Sequence, residues 1–154
     1  MTELPRAPYA DAPRVFLDAD AIVAAAFAGS VESAAFVVLL LGEATILDCV
    51  TSQQVLAEVT RNIGRLLPSR TLEAETIIRR ACRIVDDPLP DRVRVVLDWA
   101  HPKDAPILAA ALDADCPWLV TFNIRHFKPP SERMAVMTPG AFLQRLRGRL
   151  AGWA

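Results

Sequence analysis

The chain has 154 residues, of which 53% are hydrophobic and 23% charged, and its formal net charge is −1. This length and composition are typical of one globular domain and exclude a disordered chain. The small net charge excludes nucleic-acid binding through an overall positive field. The three cysteines, Cys49, Cys82 and Cys116, fit neither a disulfide framework nor a zinc site, so we expect free thiols in a reducing cytoplasm.

Neither a membrane span nor a secretory signal is predicted. The longest apolar run, Ala34 to Leu41, is much shorter than the roughly 20 residues that cross a bilayer. The first residues lack the charged start and apolar core of a signal peptide. Residues 1–13 carry three prolines and no periodicity, which predicts a flexible N-terminal tail before a single domain at residues 14–154.

Strands and helices alternate along the predicted domain. We predict strands at residues 14–17, 44–49, 83–85 and 118–122, and an edge strand at 134–137. We predict helices at residues 21–27, 31–41, 51–67, 71–81, 91–99 and 104–113, and a last helix opened by Thr138 and Pro139. This alternation is typical of a three-layer α/β/α fold, with helices on both faces of a mostly parallel sheet of four to five strands.

Two helices carry specific signals. Thr51 followed by Gln54 matches a capping box, which predicts Thr51 as the N-cap of a helix with an apolar stripe. That stripe consists of Val55, Val59, Ile63 and Leu66. The helix at residues 31–41 is apolar on all sides, so it is either internal core or a face covered by a partner. Since the whole chain is so apolar, we expect a homodimer.

Polar residues are predicted at one edge of the sheet. Asp18 ends the first strand, Glu58 lies in the second turn of the helix after the second strand, and Asp104 opens a later helix. Asn123 directly follows the last central strand. Because the carboxyl ends of parallel strands meet at one edge, these four side chains are expected to converge where such sheets bind ligands.

Asp18, Asp20 and Glu58 each have a purely structural alternative. Asp18 or Asp20 could cap the first helix, because Asp is a favoured N-cap residue. Glu58 could form a surface ion pair with Arg61 or Arg65, a common and weak arrangement.

The remaining polar residues also have structural alternatives. Asp104 could serve as an N-cap, and Asn123 could be a turn residue. His101 and His126 are interpreted as loop or packing residues, since their spacing is not that of metal ligands. Three more acids fall near the same edge and are interpreted as loop acids: Asp48, Asp86 and Asp87.

Converging carboxylates favour a metal site. Two like charges about 4 Å apart repel by roughly 4 kcal/mol at an effective dielectric constant of about 20. Such a cluster therefore requires a proton on one acid or a cation between them. Oxygen ligands favour a hard octahedral ion, which predicts Mg²⁺ or Mn²⁺. Such an ion can activate water against a phosphodiester, so the residues indicate a metal-dependent phosphate enzyme.

Four segments resemble the motifs of PIN-domain ribonucleases in the right order and spacing. In the motifs, h stands for a hydrophobic residue and x for any residue. Two of the segments lie at the ends of predicted strands: an hhLDxN-like segment at 15–20 and an hhTxD/N…F-like segment at 119–127. The other two lie in predicted helices: an hhxEh-like segment at 55–59 and a KDxxhhAxA-like segment at 103–111. The resemblance covers about residues 14–142. It is strongest to the VapC-like toxins of bacterial toxin–antitoxin pairs.

The resemblance implies a PIN-like fold and a Mg²⁺-dependent endoribonuclease that is held in check by a cognate antitoxin. It implies that Asp18 and Asp104 are metal ligands and that Glu58 completes the acidic set and helps to position the attacking water. Asn123 stands where many members have Asp, which weakens any second metal site, but it can still accept a hydrogen bond from water. Asp20 stands where the family commonly has Asn, and its carboxylate is a candidate to replace the lost charge.

Two rival functions remain open from the sequence. Asp18-Ala19-Asp20 also resembles the DxD motif of haloacid-dehalogenase-type phosphatases, but that family needs a later acidic pair. Beyond Phe122 the only acid is Glu132. Alternatively, the domain is a catalytically weak PIN scaffold that binds RNA or a protein partner.

Overall fold

The computed structural model describes residues 12–28 and 32–152. In these residues five strands form one sheet: β1 (Arg14–Leu17), β2 (Asp48–Ser52), β3 (Cys82–Val85), β4 (Trp118–Val120) and β5 (Ala135–Met137). Seven α-helices accompany it: α1 (Ala19–Ala28), α2 (Ala34–Glu43), α3 (Gln53–Leu66), α4 (Thr71–Ala81), α5 (Pro90–Val95), α6 (Ala105–Asp113) and α7 (Pro139–Ala151).

All five strands are parallel, in the order β3–β2–β1–β4–β5. The connections from β1 to β2 and from β2 to β3 run in one direction, and the connection from β3 to β4 returns across the sheet. Right-handed crossovers therefore place α1 to α4 on one face and α5 and α6 on the other. The predicted three-layer α/β/α fold is confirmed, and β5 is the expected edge strand.

The core lies on both faces of the central strands. Val15, Phe16 and Leu17 of β1 are all buried, as expected for a parallel strand covered by helices on both sides. The predicted stripe of α3 is buried at its first three positions, but Leu66, in the last turn, is 56% exposed. The apolar α2 is mainly core, since Val38 and Leu39 are buried.

The second strand begins later than predicted, at residue 48 instead of 44. Residues 44–47 form a turn in which Thr45 has the left-handed φ of 63°. Asp48 opens β2, and its buried carboxylate lies 2.9 Å from Arg14 Nε and 2.8 Å from an Arg83 guanidinium nitrogen. Asp48 therefore lies at the amino-end edge of the sheet, so its predicted place near the carboxyl-end edge is wrong.

The capping box predicted for α3 is also wrong. Thr51 is the fourth residue of β2, and its buried hydroxyl donates to the carbonyl of Leu17 at 2.9 Å. Ser52 is the N-cap instead and accepts a hydrogen bond from the third helical amide at 3.3 Å. The amide of Gln54 donates to the carboxylate of Asp87 at 2.8 Å, so that acid caps α3 from the neighbouring loop.

Other element boundaries differ by a few residues. α2 starts three residues later than predicted, where Ser33 caps it. The helix predicted at 91–99 is α5 followed by a separate 3₁₀ turn, Leu97–Trp99. The predicted cap of α7 is confirmed, because Thr138 Oγ1 accepts from a first-turn amide at 3.3 Å. Residues 1–11 of the predicted tail and the first residue of the helix predicted at 31–41 lie outside the described residues.

All three cysteines are buried, and none of them forms a disulfide within the described residues. Burial raises the pKa of the Cys116 thiol to about 12, so this thiol stays protonated at physiological pH. None of the described helices is both long enough and apolar enough to cross a bilayer.

Candidate active site

A cleft opens where the carboxyl ends of β1 and β4 meet. These neighbouring strands connect onward in opposite directions, to β2 and β5 respectively, so this edge is the switch point at which open parallel sheets bind ligands. The cleft has a volume of about 340 Å³. The residues that line it include all four predicted site residues, Asp18, Glu58, Asp104 and Asn123.

Asp18 directly follows β1 and is only 6% exposed. One carboxylate oxygen accepts the amide of Ala19 at 2.7 Å, and the other accepts the hydroxyl of Thr121 at 2.8 Å. Burial raises the pKa of Asp18 to about 6; the charges of Asp20 and Asp104 add to the rise, and the two hydrogen bonds oppose it. Burial and the neighbouring acids therefore disfavour the ionised form of this acid, and a nearby cation would favour it.

Thr121 is a site residue that the sequence analysis missed. It follows β4, is fully buried, and lies beside Asp18 because the register pairs Leu17 with Val120. Its hydroxyl has one proton, and the contact to Asp18 at 2.8 Å is shorter than the two to Asp20 at 3.3 Å. A hydroxyl at the end of an apolar strand, next to the first acid in register, was the signal that would have identified it.

Asp20 ties the start of α1 to the segment that follows β4. Its carboxylate accepts the amide of Phe122 at 3.0 Å, and the hydroxyl of Thr121 lies 3.3 Å from each of its oxygens. Burial raises the pKa of Asp20, and the nearby backbone amides, that of Phe122 first, partly oppose the rise. Asp20 therefore links the two segments at the wall of the cleft, which it also lines.

Asp104 occupies the N-cap position of α6, but its side chain makes no capping hydrogen bond. Instead, one carboxylate oxygen lies 2.9 Å from Nδ1 of His126, in the 3₁₀ turn Ile124–His126. His126 was interpreted as a loop or packing residue, so its contact with a predicted site acid was missed. The side chain of Asp104 is 18% exposed and faces the cleft rather than its own helix.

Glu58 and Asn123 complete the set. Glu58 is partly exposed on α3, and the described residues contain no ion pair between it and Arg61 or Arg65, so the surface-pair alternative is not observed. The backbone carbonyl of Asn123 accepts from the amide of His126 at 3.0 Å. Both residues line the cleft, and no side-chain hydrogen bond of either is observed within the described part of the chain.

The donor set suits a hard divalent ion. Within the described part of the chain, no three His, Cys, Asp or Glu side chains are grouped closely enough to hold a metal by themselves. Asp18 and Asp104, however, are close enough that the charge of Asp104 raises the pKa of Asp18. Mg²⁺ is commonly held by one or two carboxylates with water completing the octahedron, and this pair fits that arrangement.

A second cavity, of about 160 Å³, lies between α1, α2, α3 and α4. Its lining is almost entirely apolar, and Arg70 and Glu73 are its only charged residues. It contains none of the four predicted site residues, all of which line the cleft at the sheet edge.

Comparison with known proteins identifies the family and similar folds. Residues 14–125 match the PIN domain family. The fold is similar to PAE2754 of Pyrobaculum aerophilum, with 18% identity and a TM-score of 0.59 over 91% of this chain and 99% of that one. It is also similar to VapC20 of Mycobacterium tuberculosis, described as a toxin that cleaves the sarcin–ricin loop, with 20% identity and a TM-score of 0.50 over 68% and 86% of the two chains.

No curated protein matches the sequence. The family match covers most of the chain and includes three of the four predicted site segments in full, and it does not support the phosphatase alternative. The chain therefore belongs to the PIN domain family.

Proposed function

We propose that this PIN domain is a Mg²⁺- or Mn²⁺-dependent endoribonuclease that hydrolyses RNA phosphodiesters. The observation that carries the proposal is the buried carboxylate of Asp18, whose pKa is raised to about 6 in a cleft shared with Asp20 and Asp104. Grouping buried acids destabilises a fold unless a cation joins them, and perturbed acids in a cleft are characteristic of functional sites.

The four predicted residues have distinct roles in this proposal. Asp18 and Asp104 hold the ion, and Glu58, which has no ion pair within the described residues, orients the attacking water. Asn123, which also lines the cleft, accepts a hydrogen bond from water. When bound, the ion supplies the positive charge that acidifies a water molecule and neutralises the phosphate under attack.

Basic side chains of the same cleft favour a polyanionic substrate. Arg61 and Lys103 line the cleft, and neither forms an ion pair within the described residues. Contacts to phosphates position a nucleic acid without selecting its sequence. We therefore assign these two residues to the phosphates that flank the scissile bond.

We further propose that the protein is the toxin of a type II toxin–antitoxin module, acting in the cytoplasm as a homodimer with a cognate antitoxin. The support is the fold similarity to VapC20 and the three cysteines, which form no disulfide within the described residues and so suit a reducing compartment. Exposed apolar side chains such as Phe27, Leu72 and Leu89 supply surface that a second copy or an antitoxin can cover.

The decisive experiment measures cleavage of labelled single-stranded RNAs with Mg²⁺ and with EDTA. We expect cleavage only with Mg²⁺, and a loss of at least about 100-fold in Asp18→Asn and Asp104→Asn, because outer-shell partners alone contribute about 10–100-fold. Circular dichroism checks that both variants are folded.

The matched control is Asp98→Asn, which neutralises an exposed acid outside the cleft and should cleave at the wild-type rate. Cleavage that resists EDTA, or full activity in either cleft variant, would contradict the metal mechanism. RNA binding without any cleavage would favour the alternative of a binding scaffold.

A further inference from the structure

The only two histidines of the sequence both line the cleft. Their rings are 5.6 Å apart, but their partners differ. Nδ1 of His126 lies 2.9 Å from a carboxylate oxygen of Asp104, whereas Nδ1 of His101 accepts the amide of Lys103 at 3.3 Å. Only one of the two histidines therefore contacts an acid.

We propose that His126 is a positioning residue that fixes the Asp104 carboxylate for the divalent ion. An ionised carboxylate only accepts hydrogen bonds, so Nδ1 of His126 must carry the proton of this contact. The contact occupies Oδ2 of Asp104, and Oδ1 has no hydrogen-bond partner within the described residues. This inference rests on the proposed function, because it assigns a second residue to the same metal site.

Asp104 needs such a partner because it is the N-cap residue of α6 and its side chain makes no capping hydrogen bond. An aspartate at an N-cap normally turns its side chain back to the amides of the second or third helical residue. Here the second helical residue, Pro106, has no amide proton, and the amide of Ile107 donates to the Asp104 backbone carbonyl at 3.0 Å. The helix thus competes weakly for the carboxylate, and His126 supplies the hydrogen bond that orients it.

The imidazole itself is held by the backbone around it. The amide of His101 donates to the carbonyl of His126 at 2.8 Å, and Ala100 forms an antiparallel bridge with Phe127. Phe127 is 3% exposed and anchors the 3₁₀ turn in the core. The ring therefore sits on a fixed segment, although its own side chain is 48% exposed.

The test is calorimetric titration of metal-free protein with Mn²⁺ alone. We expect His126→Ala to weaken Mn²⁺ binding by about 10–100-fold, the usual effect of losing an outer-shell partner. His126→Asn keeps a side-chain N–H near the position of Nδ1 and should recover most of that loss. If His126 only stabilised the fold, His126→Asn would not restore the Mn²⁺ affinity. Thermal unfolding without metal should be nearly the same in all variants.

His101→Ala is the matched control, since it removes the neighbouring ring without removing a contact to an acid, and it should keep wild-type affinity. Wild-type affinity in His126→Ala, or an Asn variant as weak as the Ala variant, would overturn the positioning role and leave the proposed function intact. Absence of Mn²⁺ binding by the wild-type protein would overturn both.

Discussion

Two buried aspartates at opposite edges of the sheet have the same exposure and opposite surroundings. Asp48, at the amino-end edge, is 6% exposed and is bound by the guanidinium groups of Arg14 and Arg83. Asp18, at the carboxyl-end edge, is also 6% exposed, but its partners are an amide and a hydroxyl, and its nearby charges are acidic.

The difference shows that burial alone does not identify a functional acid. At the amino-end edge the charge of the carboxylate is balanced within the protein, so the arrangement serves the fold. At the carboxyl-end edge Asp18 has no ion pair within the described residues, and burial and the neighbouring acids raise its pKa because they disfavour the ionised form. An acidic charge that is buried without an ion pair of its own is what distinguishes a candidate binding site.

The largest effect on stability is expected at the balanced edge. Asp48→Asn leaves Arg14 and Arg83 without their shared carboxylate and should lower the free energy of unfolding by about 3 kcal/mol. This is the lower end of the usual range because both guanidinium groups are partly exposed. Urea unfolding measures the change.

The control for that prediction is Asp113→Asn, which breaks the more exposed ion pair with Arg92. Exposed pairs are worth at most about 1 kcal/mol, so the loss should be clearly smaller. Equal losses in the two variants would show that the buried pair contributes no more than a surface pair.

At the opposite edge, the contribution of Asp18 to the free energy of unfolding should decrease as the pH rises. The pKa of Asp18 is about 6 in the folded protein against an ordinary value of 3.8, so the unfolded chain releases this proton first. The contribution of Asp18 to stability is therefore present below pH 4 and is lost, by about 2–3 kcal/mol, as the pH rises through 6. Urea unfolding in EDTA between pH 4 and 8 measures it.

Asp18→Asn removes the titrating group and should flatten that pH dependence. At pH 8 without metal, the variant should be more stable than the wild-type protein, because the disfavoured charge is gone. A variant whose stability follows the same pH curve as the wild-type protein would show that Asp18 is not the acid that titrates.

The smallest effect on stability is expected for Glu58→Gln. Glu58 is partly exposed and has no ion pair within the described residues, so the free energy of unfolding should change by no more than about 0.5 kcal/mol. RNA cleavage should nevertheless fall by about 100-fold if the carboxylate orients the attacking water. Loss of stability without loss of cleavage would assign Glu58 to the fold instead.

Much of the fold could be predicted because its signals are local. Apolar runs such as Val15 to Leu17 mark buried parallel strands, and their alternation with helices determines which edge holds the strand ends. The gathering of Asp18, Glu58 and Asp104 at one cleft follows from topology alone, without side-chain detail.

The errors arose where partners come from distant parts of the chain. Asp48 looks like a strand-end acid until Arg14 and Arg83 are brought beside it. Thr51 looks like a cap until the carbonyl of Leu17 is brought within 2.9 Å of its hydroxyl. The roles of Thr121 and His126 likewise depend on contacts across more than 20 residues, so the position of each in its own segment is not enough to assign its partner.

The most direct test of a divalent-ion site in the acidic cleft is the change in unfolding free energy that Mg²⁺ produces near pH 7.5. Binding to the folded state alone should stabilise the wild-type protein by about 2.7 kcal/mol at 100 times the dissociation constant, as measured by urea unfolding. Asp48→Asn should keep this increment despite its lower stability, and Asp18→Asn and Asp104→Asn should lose it. A wild-type protein that Mg²⁺ does not stabilise, or an equal increment in the two cleft variants, would contradict the account.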